Sequence, residues 1–565
     1  MNRRPTARRR LAALAAAVIA IACVASACSD GGAGQVSVIP GSTASRMPSV
    51  PTGSATSTNA GSVNTGHAAV AGTRTPADGE TGTSTGTLPA AQVPEQTCAH
   101  PAPEWGDVSD SPQSAVEGYT DTDSALPGTK VGLYVSTLRP TWRVTAFRMG
   151  YYGATQGCQV WQSAWQHGKN QGTATILPTT STAVANWEKS LTVDTAGWQP
   201  GAYLLRLDTD STTIRRFMPL IVRSPSLAGR VVILATDTTW QAYNLWGGFS
   251  LYFGEPGHTL GRRSRAVTFD RPYNYGRGAA GFFDDLLPVV TLAEKLHLPV
   301  AYATDVDIDR EPAAFATARA VISAGHDEYY SPVMRRALTT ARDRGVNLAF
   351  LGSNAIYRKI RYARTKTGPL RLEINYKDAT DPIKTPSLVT TQWRDAPSND
   401  PESALTGQSW QCAATKFYPI VVADETSWLF AGTAATKGMS LPSIAGHEFD
   451  GIVTTRPIPR PMSIVFHSAT RCHDAPATTD TTYYTTPSGA GVFDAGSYFW
   501  DCAIDNVCRI PITADTQRII TRVTANLLEA AAAGPIGRAH PVVDNVRQFY
   551  PAAPVPTRES GAPTS

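Results

Sequence analysis

The sequence contains no Cys-x-x-Cys pair, no phosphate-binding glycine loop and no internal repeat. The first absence argues against zinc held at the usual spacing, and the second against a nucleotide cradled on a glycine-rich turn. A clustered basic face is also missing, and a net charge of +4 over 565 residues is small. Nucleic acid is therefore not an expected partner. Aromatic residues are absent from Ser29 to Thr97, where Gly, Ser, Thr, Ala and Pro dominate. Such a segment cannot bury enough apolar surface to offset the entropy of ordering it. Residues 28–97 therefore read as a flexible stalk that holds a globular body away from a membrane or through a wall layer. Beyond the N-terminal segment, no stretch approaches the roughly 20 apolar residues of a helical membrane span.

What is present begins with a basic segment, Met1 to Arg10, and an alanine-rich apolar run from Leu11 to Ala27. Residues 1–27 read as an export signal. Ala25-Ser26-Ala27-Cys28 resembles a bacterial lipoprotein processing site, in which Cys28 becomes the lipidated first residue and anchors the chain to the outer face of the cell membrane. A larger aliphatic residue is usual at the position of Ala25, so ordinary cleavage after Ala27 and secretion stay open. Beyond Cys23 and Cys28, six cysteines remain: Cys98, Cys158, Cys412, Cys472, Cys502 and Cys508. An even number in an exported chain suggests disulfides. Six cysteines allow about fifteen pairings. Proximity in sequence favours Cys98 with Cys158, Cys412 with Cys472 and Cys502 with Cys508.

A hydrophobic content of 42% supports real cores. From residue 98 to 226, short alternating runs such as Trp142-Arg-Val-Thr-Ala-Phe and Ala202-Tyr-Leu-Leu-Arg-Leu, punctuated by Gly and Pro, predict a β-sandwich. From 227 to 533, strands alternate with helical stretches. Val231–Ala235, Val300–Thr304, Ala318–Ser323 and Leu348–Leu351 predict four strands of a mostly parallel sheet covered on both faces. The expected class is α/β plus β, with a three-layer flavodoxin-like or glutamine-amidotransferase-like second domain. Past Tyr376 only scattered strands and a late amphipathic helix near Thr516 to Ala532 can be read. The proline-rich tail, 534–565, reads as a surface wrap or a disordered end.

One stretch organises the second domain. Between Ala318 and Pro332 an apolar strand stops at Gly325, releases His326, Asp327 and Glu328, and restarts as a helix capped by Ser331 with proline in its first turn. Ligands gather at the carboxyl ends of strands in open α/β sheets, so these three residues stand where chemistry is usually done. The alternative is a polar loop that merely caps the next helix.

Gly325-His-Asp-Glu-Tyr-Tyr-Ser331 followed by Leu351-Gly-Ser-Asn354-Ala-Ile-Tyr357 resembles the large (β) subunit of N,N-dimethylformamidase. Thr239-Trp-Gln-Ala-Tyr-Asn244, Phe269-Asp-Arg-Pro-Tyr273, Gly446-His-Glu-Phe-Asp450 and Gly489 to Trp500 support the likeness, which covers about residues 110 to 530. The resemblance implies a single non-haem iron held by two tyrosines and a glutamate: Glu328, Tyr243 in Gln-Ala-Tyr-Asn, and Tyr203 in Pro-Gly-Ala-Tyr. It further implies His326, Asn354 and Glu448 as catalytic neighbours, with His326 or Glu448 moving protons and Asn354 donating to developing negative charge. The implied reaction is hydrolysis of an amide or related C–N bond; an anchored envelope protein meets peptides, amino sugars or environmental amides rather than dimethylformamide itself. A non-catalytic module that binds glycan or protein is the competing reading, with Trp161, Trp165, Trp187 and Trp198 as candidates for a sugar site. In that reading Glu448 pairs with Arg358 or Arg361.

Overall fold

Alternating apolar residues build the first half. In the computed structural model, which describes residues 97–107, 113–377 and 379–553, strands β1 (Val116–Thr120), β2 (Lys130–Thr137), β3 (Thr141–Tyr152), β4 (Thr155–Gln162), β5 (Leu191–Asp194), β6 (Gly201–Thr209) and β7 (Arg215–Val222) form two antiparallel sheets. One has the order β1-β2-β5; the other runs β7-β6-β3-β4. Side chains alternate across a strand. Tyr203, Leu205 and Leu207 of β6 thus share a core with Val131 and Leu133 of β2, while Ala202 and Leu204 face the second half of the chain. The export signal, Cys28 and nearly all of the stalk lie outside the described residues.

The second half holds a seven-stranded sheet and a separate two-stranded one formed by Ser409–Val421 and Ser440–Gly451. Its elements are β8 (Val231–Ala235), α1 (Asp237–Tyr243), α2 (Leu287–Lys295), β9 (Val300–Thr304), β10 (Ala320–Ala324), α3 (Pro332–Asp343), β11 (Asn347–Phe350), β12 (Ser409–Val421), β13 (Ser440–Gly451), β14 (Met462–Cys472), β15 (Ala475–Thr485), β16 (Gly491–Asp494), α4 (Trp500–Asp505) and α5 (Ala514–Ala533). The order is β9-β8-β10-β11-β16-β15-β14, the first five parallel and the last two antiparallel. Four parallel strands are expected from sequence; β16 is a fifth, reached only after the β12–β15 hairpins. Val231 and Ile233 of β8 pack with α2 and α5 on one face, Val232 and Leu234 with α3 on the other. A strand buried on both faces reads as a continuous apolar run, and β8 does.

The six cysteines pair Cys98–Cys158, Cys412–Cys472 and Cys502–Cys508, as proximity suggests. The described part of the tail, through Ala553, wraps the surface and is tied down: Asn545 exchanges hydrogen bonds with Ile464, and Arg460 pairs with Asp544. No helix among the described residues is long and apolar enough to cross a membrane. Of the four tryptophans considered for a sugar site, Trp187 and Trp198 are buried, Trp161 packs on the core, and Trp165 stands exposed with Arg143 over its ring.

Candidate active site

Gly325 ends β10 with φ +96°, a conformation that side chains resist, and turns the chain across the carboxyl edge of the sheet. Ser331 then caps α3, its hydroxyl accepting from the Val333 and Met334 amides. Between the two, Asp327 points inward and accepts from the Ser323 and Tyr330 hydroxyls at 2.5 and 2.6 Å. It buttresses the turn. Glu328 points the other way, its amide held by the Thr239 hydroxyl of α1 at 2.9 Å.

Two tyrosine hydroxyls converge on Glu328 Oε2: Tyr243, the last residue of α1, donates at 3.0 Å, and Tyr252 at 2.5 Å. Their rings stack at 4.2 Å. The approach comes from a turn at Gly247 and Gly248, both at positive φ, which brings the chain back so that the Leu251 amide bonds the Ala242 carbonyl. Tyr252 in turn accepts from Tyr329, whose hydroxyl accepts from Lys377 Nζ at 2.7 Å. Burial and the adjacent Glu328 carboxylate push both phenols up, so each keeps its proton and donates its hydrogen bond. Burial pushes the Glu328 carboxyl up too, but Lys377, His326 and Arg358 outweigh it and hold the group below the usual range.

A second carboxylate, Glu448 of β13, faces the first. Its Oε2 accepts from Asn354 Nδ2 at 2.7 Å and Trp410 Nε1 at 2.8 Å, while Oε1 accepts from Tyr243 at 3.3 Å. His326 Nε2 sits between the carboxylates, 3.8 Å from Glu328 and 3.6 Å from Glu448, buried and without a hydrogen-bond partner. The His326 ring contacts Tyr243 on one side and Tyr498 on the other.

Tyr243, Glu328, His326, Asn354 and Glu448 are thus brought together as expected, and Tyr203 is not. Its ring stacks on Trp198 in the core between the two N-terminal sheets, and its hydroxyl donates to the Gln199 carbonyl at 2.7 Å. The physical reason is the two-residue period of β6, which puts Tyr203 on the face of Leu205 and Leu207. Asn354 also differs from expectation: its amide nitrogen is directed to Glu448, so it positions that carboxylate. Arg358 lies 3.5 Å from Glu328 and Arg361 pairs with Asp381, so neither is the partner of Glu448. Sequence reasoning missed Tyr252, Trp410 and Lys377. For Tyr252 the available signal was a tyrosine shortly after a Gly-Gly turn that follows Tyr243.

The profile of the N,N-dimethylformamidase beta subunit-like, C-terminal family matches residues 143–511. The chain belongs to this family. No curated protein matches it. The dimethylformamidase-like match takes in most of the N-terminal sheets as well as the seven-stranded sheet, and so contains every residue of the Glu328 cluster.

Two phenol oxygens and a carboxylate oxygen gathered at one point, beside a buried ring nitrogen with no partner, fit a hard and highly charged cation. The fit is to Tyr243, Tyr252 and Glu328. Among the described residues one other group, Cys412, Cys472 and His473, brings ligand atoms close together. Its two sulfurs are joined as a disulfide, which leaves no thiolate for a metal.

Proposed function

We propose that the protein is a metal-dependent amide hydrolase of the dimethylformamidase-like family, with a single non-haem iron held by Tyr243, Tyr252 and Glu328. The observation that supports this most is the convergence of two tyrosine hydroxyls on one buried carboxylate at the carboxyl edge of a parallel sheet. Bound there, iron would supply Lewis acidity toward a substrate carbonyl and lower the pKa of bound water.

The chain's own residues supply orientation and proton transfer. Asn354 and Trp410 fix Glu448 through Oε2 and leave Oε1 turned toward Tyr243, a placement suited to taking a proton from water and returning it to the leaving amine. His326, sandwiched between Tyr243 and Tyr498, is the second group able to hold a proton there. Arg358, 3.5 Å away, offsets the charge of Glu328. The fitting substrate is a small amide, an amino-sugar amide included. The architecture is read as a β-sandwich followed by a three-layer α/β domain. The N-terminal signal and Cys28 support an envelope-attached, lipid-anchored setting.

The test is amine release from simple amides and N-acyl amino sugars by iron-loaded protein, beside Glu448→Gln. The reading expects turnover that drops by about 100- to 10,000-fold in the variant while iron is retained. Loaded protein that hydrolyses no amide, or a variant as active as the parent, contradicts it.

A further inference from the structure

Beside Glu328 and Glu448 stands a group of hydrogen-bond donors that the protein itself leaves unused. The Arg358 amide donates to the Glu328 carbonyl at 2.8 Å, and this bond sets the arginine against the carboxylate. Its guanidinium runs alongside the Glu328 side chain, with Nε 3.5 Å from Oε1, yet that Nε is buried without a hydrogen-bond partner. The two terminal nitrogens of Arg358 donate to no described residue either.

Arg394 completes the group. Both guanidiniums lie over the ring of Tyr357, at 4.8 and 4.7 Å. Glu402 holds Arg394 through Nε and Nη2, which leaves Nη1 without a hydrogen bond among the described residues. The Tyr357 hydroxyl is likewise without a partner there, and its ring packs on Trp410, the residue that holds Glu448. Both arginines are partly exposed, so a ligand at Glu448 can reach them.

A guanidinium offers its donors in a fixed fork that matches a carboxylate bidentately. Arg358 has only the charge of Glu328 to answer it, and Glu328 is the carboxylate assigned above to the metal. A cation held there leaves Arg358 with no anion of its own, a costly state for a largely buried charge. A neutral amide would not supply that anion.

We propose that the substrate is an amide that also bears a carboxylate, of the N-acyl α-amino acid class, with the carboxylate on Arg358 and the Tyr357 hydroxyl and the amide carbonyl turned toward the Glu328 cluster. The inference rests on the hydrolase reading above and narrows its substrate. In such a molecule one carbon separates the amide nitrogen from the carboxylate, which suits the short distance between Arg358 and Glu328. Hydrolysis then adds water across the acyl C–N bond and yields a carboxylic acid and a free amino acid. Arg358 determines specificity.

The test compares N-acetyl-L-alanine with its primary amide, which differ in the anion alone. Binding of each to full-chain Glu448→Gln protein, in which turnover is suppressed, is measured by calorimetry before and after iron reconstitution. Acetate release by the parent is measured separately. The carboxylate form should bind roughly tenfold or more tightly after reconstitution, a preference that a further Arg358→Gln change collapses and Arg358→Lys restores in part. A purely structural role for Arg358 would weaken both ligands alike and keep their ratio. If Arg358→Gln does not fold, the ratio in the Glu448→Gln protein and its reduction by Tyr357→Phe carry the test. Equal affinities, or a ratio that Arg358→Gln leaves unchanged, overturn the proposal. Acetate released equally well from both ligands overturns it too, while leaving the hydrolase reading in place. A carboxylate preference in binding with no acetate from either ligand supports the Arg358 site and contradicts the hydrolase reading.

Discussion

At the scale of single residues, the account turns on which tyrosine stands beside Tyr243. Both Tyr203 and Tyr252 are buried or nearly so, but only Tyr252 reaches Glu328. Tyr203→Phe removes one hydrogen bond to a backbone carbonyl and should cost about 1 kcal/mol of stability, read by denaturant unfolding. Trp410→Phe keeps the ring against Tyr357 but leaves Glu448 with one donor fewer on Oε2. It should lower kcat roughly 10- to 100-fold with little change in KM, which steady-state kinetics on any accepted amide will show. Most of the site was legible because His326, Glu328 and Asn354 follow strands in recognisable turns, and Glu448 sits in a motif of its own. Tyr203 misled because a tyrosine in a short strand motif carries no mark of the face it takes. Trp410 could not be found, since nothing local in Ser409-Trp-Gln-Cys412 points to a carboxylate 38 residues away.

At the scale of elements, the parallel strands announce themselves as unbroken apolar runs ended by glycine or a cap. The β12–β15 hairpins do not. Thr478 to Thr482 in β15 includes buried Thr479, Asp480, Thr481 and Thr482, so its sequence lacks the apolar alternation that marks a strand. These hairpins matter because β13 carries Glu448 and β12 carries Trp410. The Cys412–Cys472 disulfide ties β12 to β14 across 60 residues of chain. Replacing both cysteines by serine should cost about 2–4 kcal/mol, measured by chemical unfolding of the oxidised parent and the variant. The turn at Gly325 is equally constrained: a Cβ there would lie 2.5 Å from the Asp285 Cβ, at a φ of +96°. Gly325→Ala should therefore destabilise by more than about 1 kcal/mol and lower activity by displacing His326.

At the scale of the whole molecule, buried acids set how stability responds to pH. Burial pushes Asp285 from an ordinary value of 3.8 up to about 8. Its folded value lies above its unfolded one, so between those limits the native state holds a proton that the unfolded state has released. Stability falls as pH rises through that window, by at most roughly 1.4 kcal/mol per pH unit from this group. Asp285→Asn should flatten the dependence of the unfolding midpoint between pH 5 and 8 and raise it most at the alkaline end; a slope equal to the parent's would count against this origin.

The measurement that bears most directly on the central claim is iron content and visible absorption after reconstitution, compared for the parent, Tyr243→Phe, Tyr252→Phe and Tyr203→Phe. Stoichiometric iron with a tyrosinate absorption band is expected in the parent and in Tyr203→Phe, with the band weakened in each of the other two variants. Protein that takes up no iron, or a band lost in Tyr203→Phe and kept in Tyr252→Phe, would contradict the assignment of Tyr243, Tyr252 and Glu328 as the metal site.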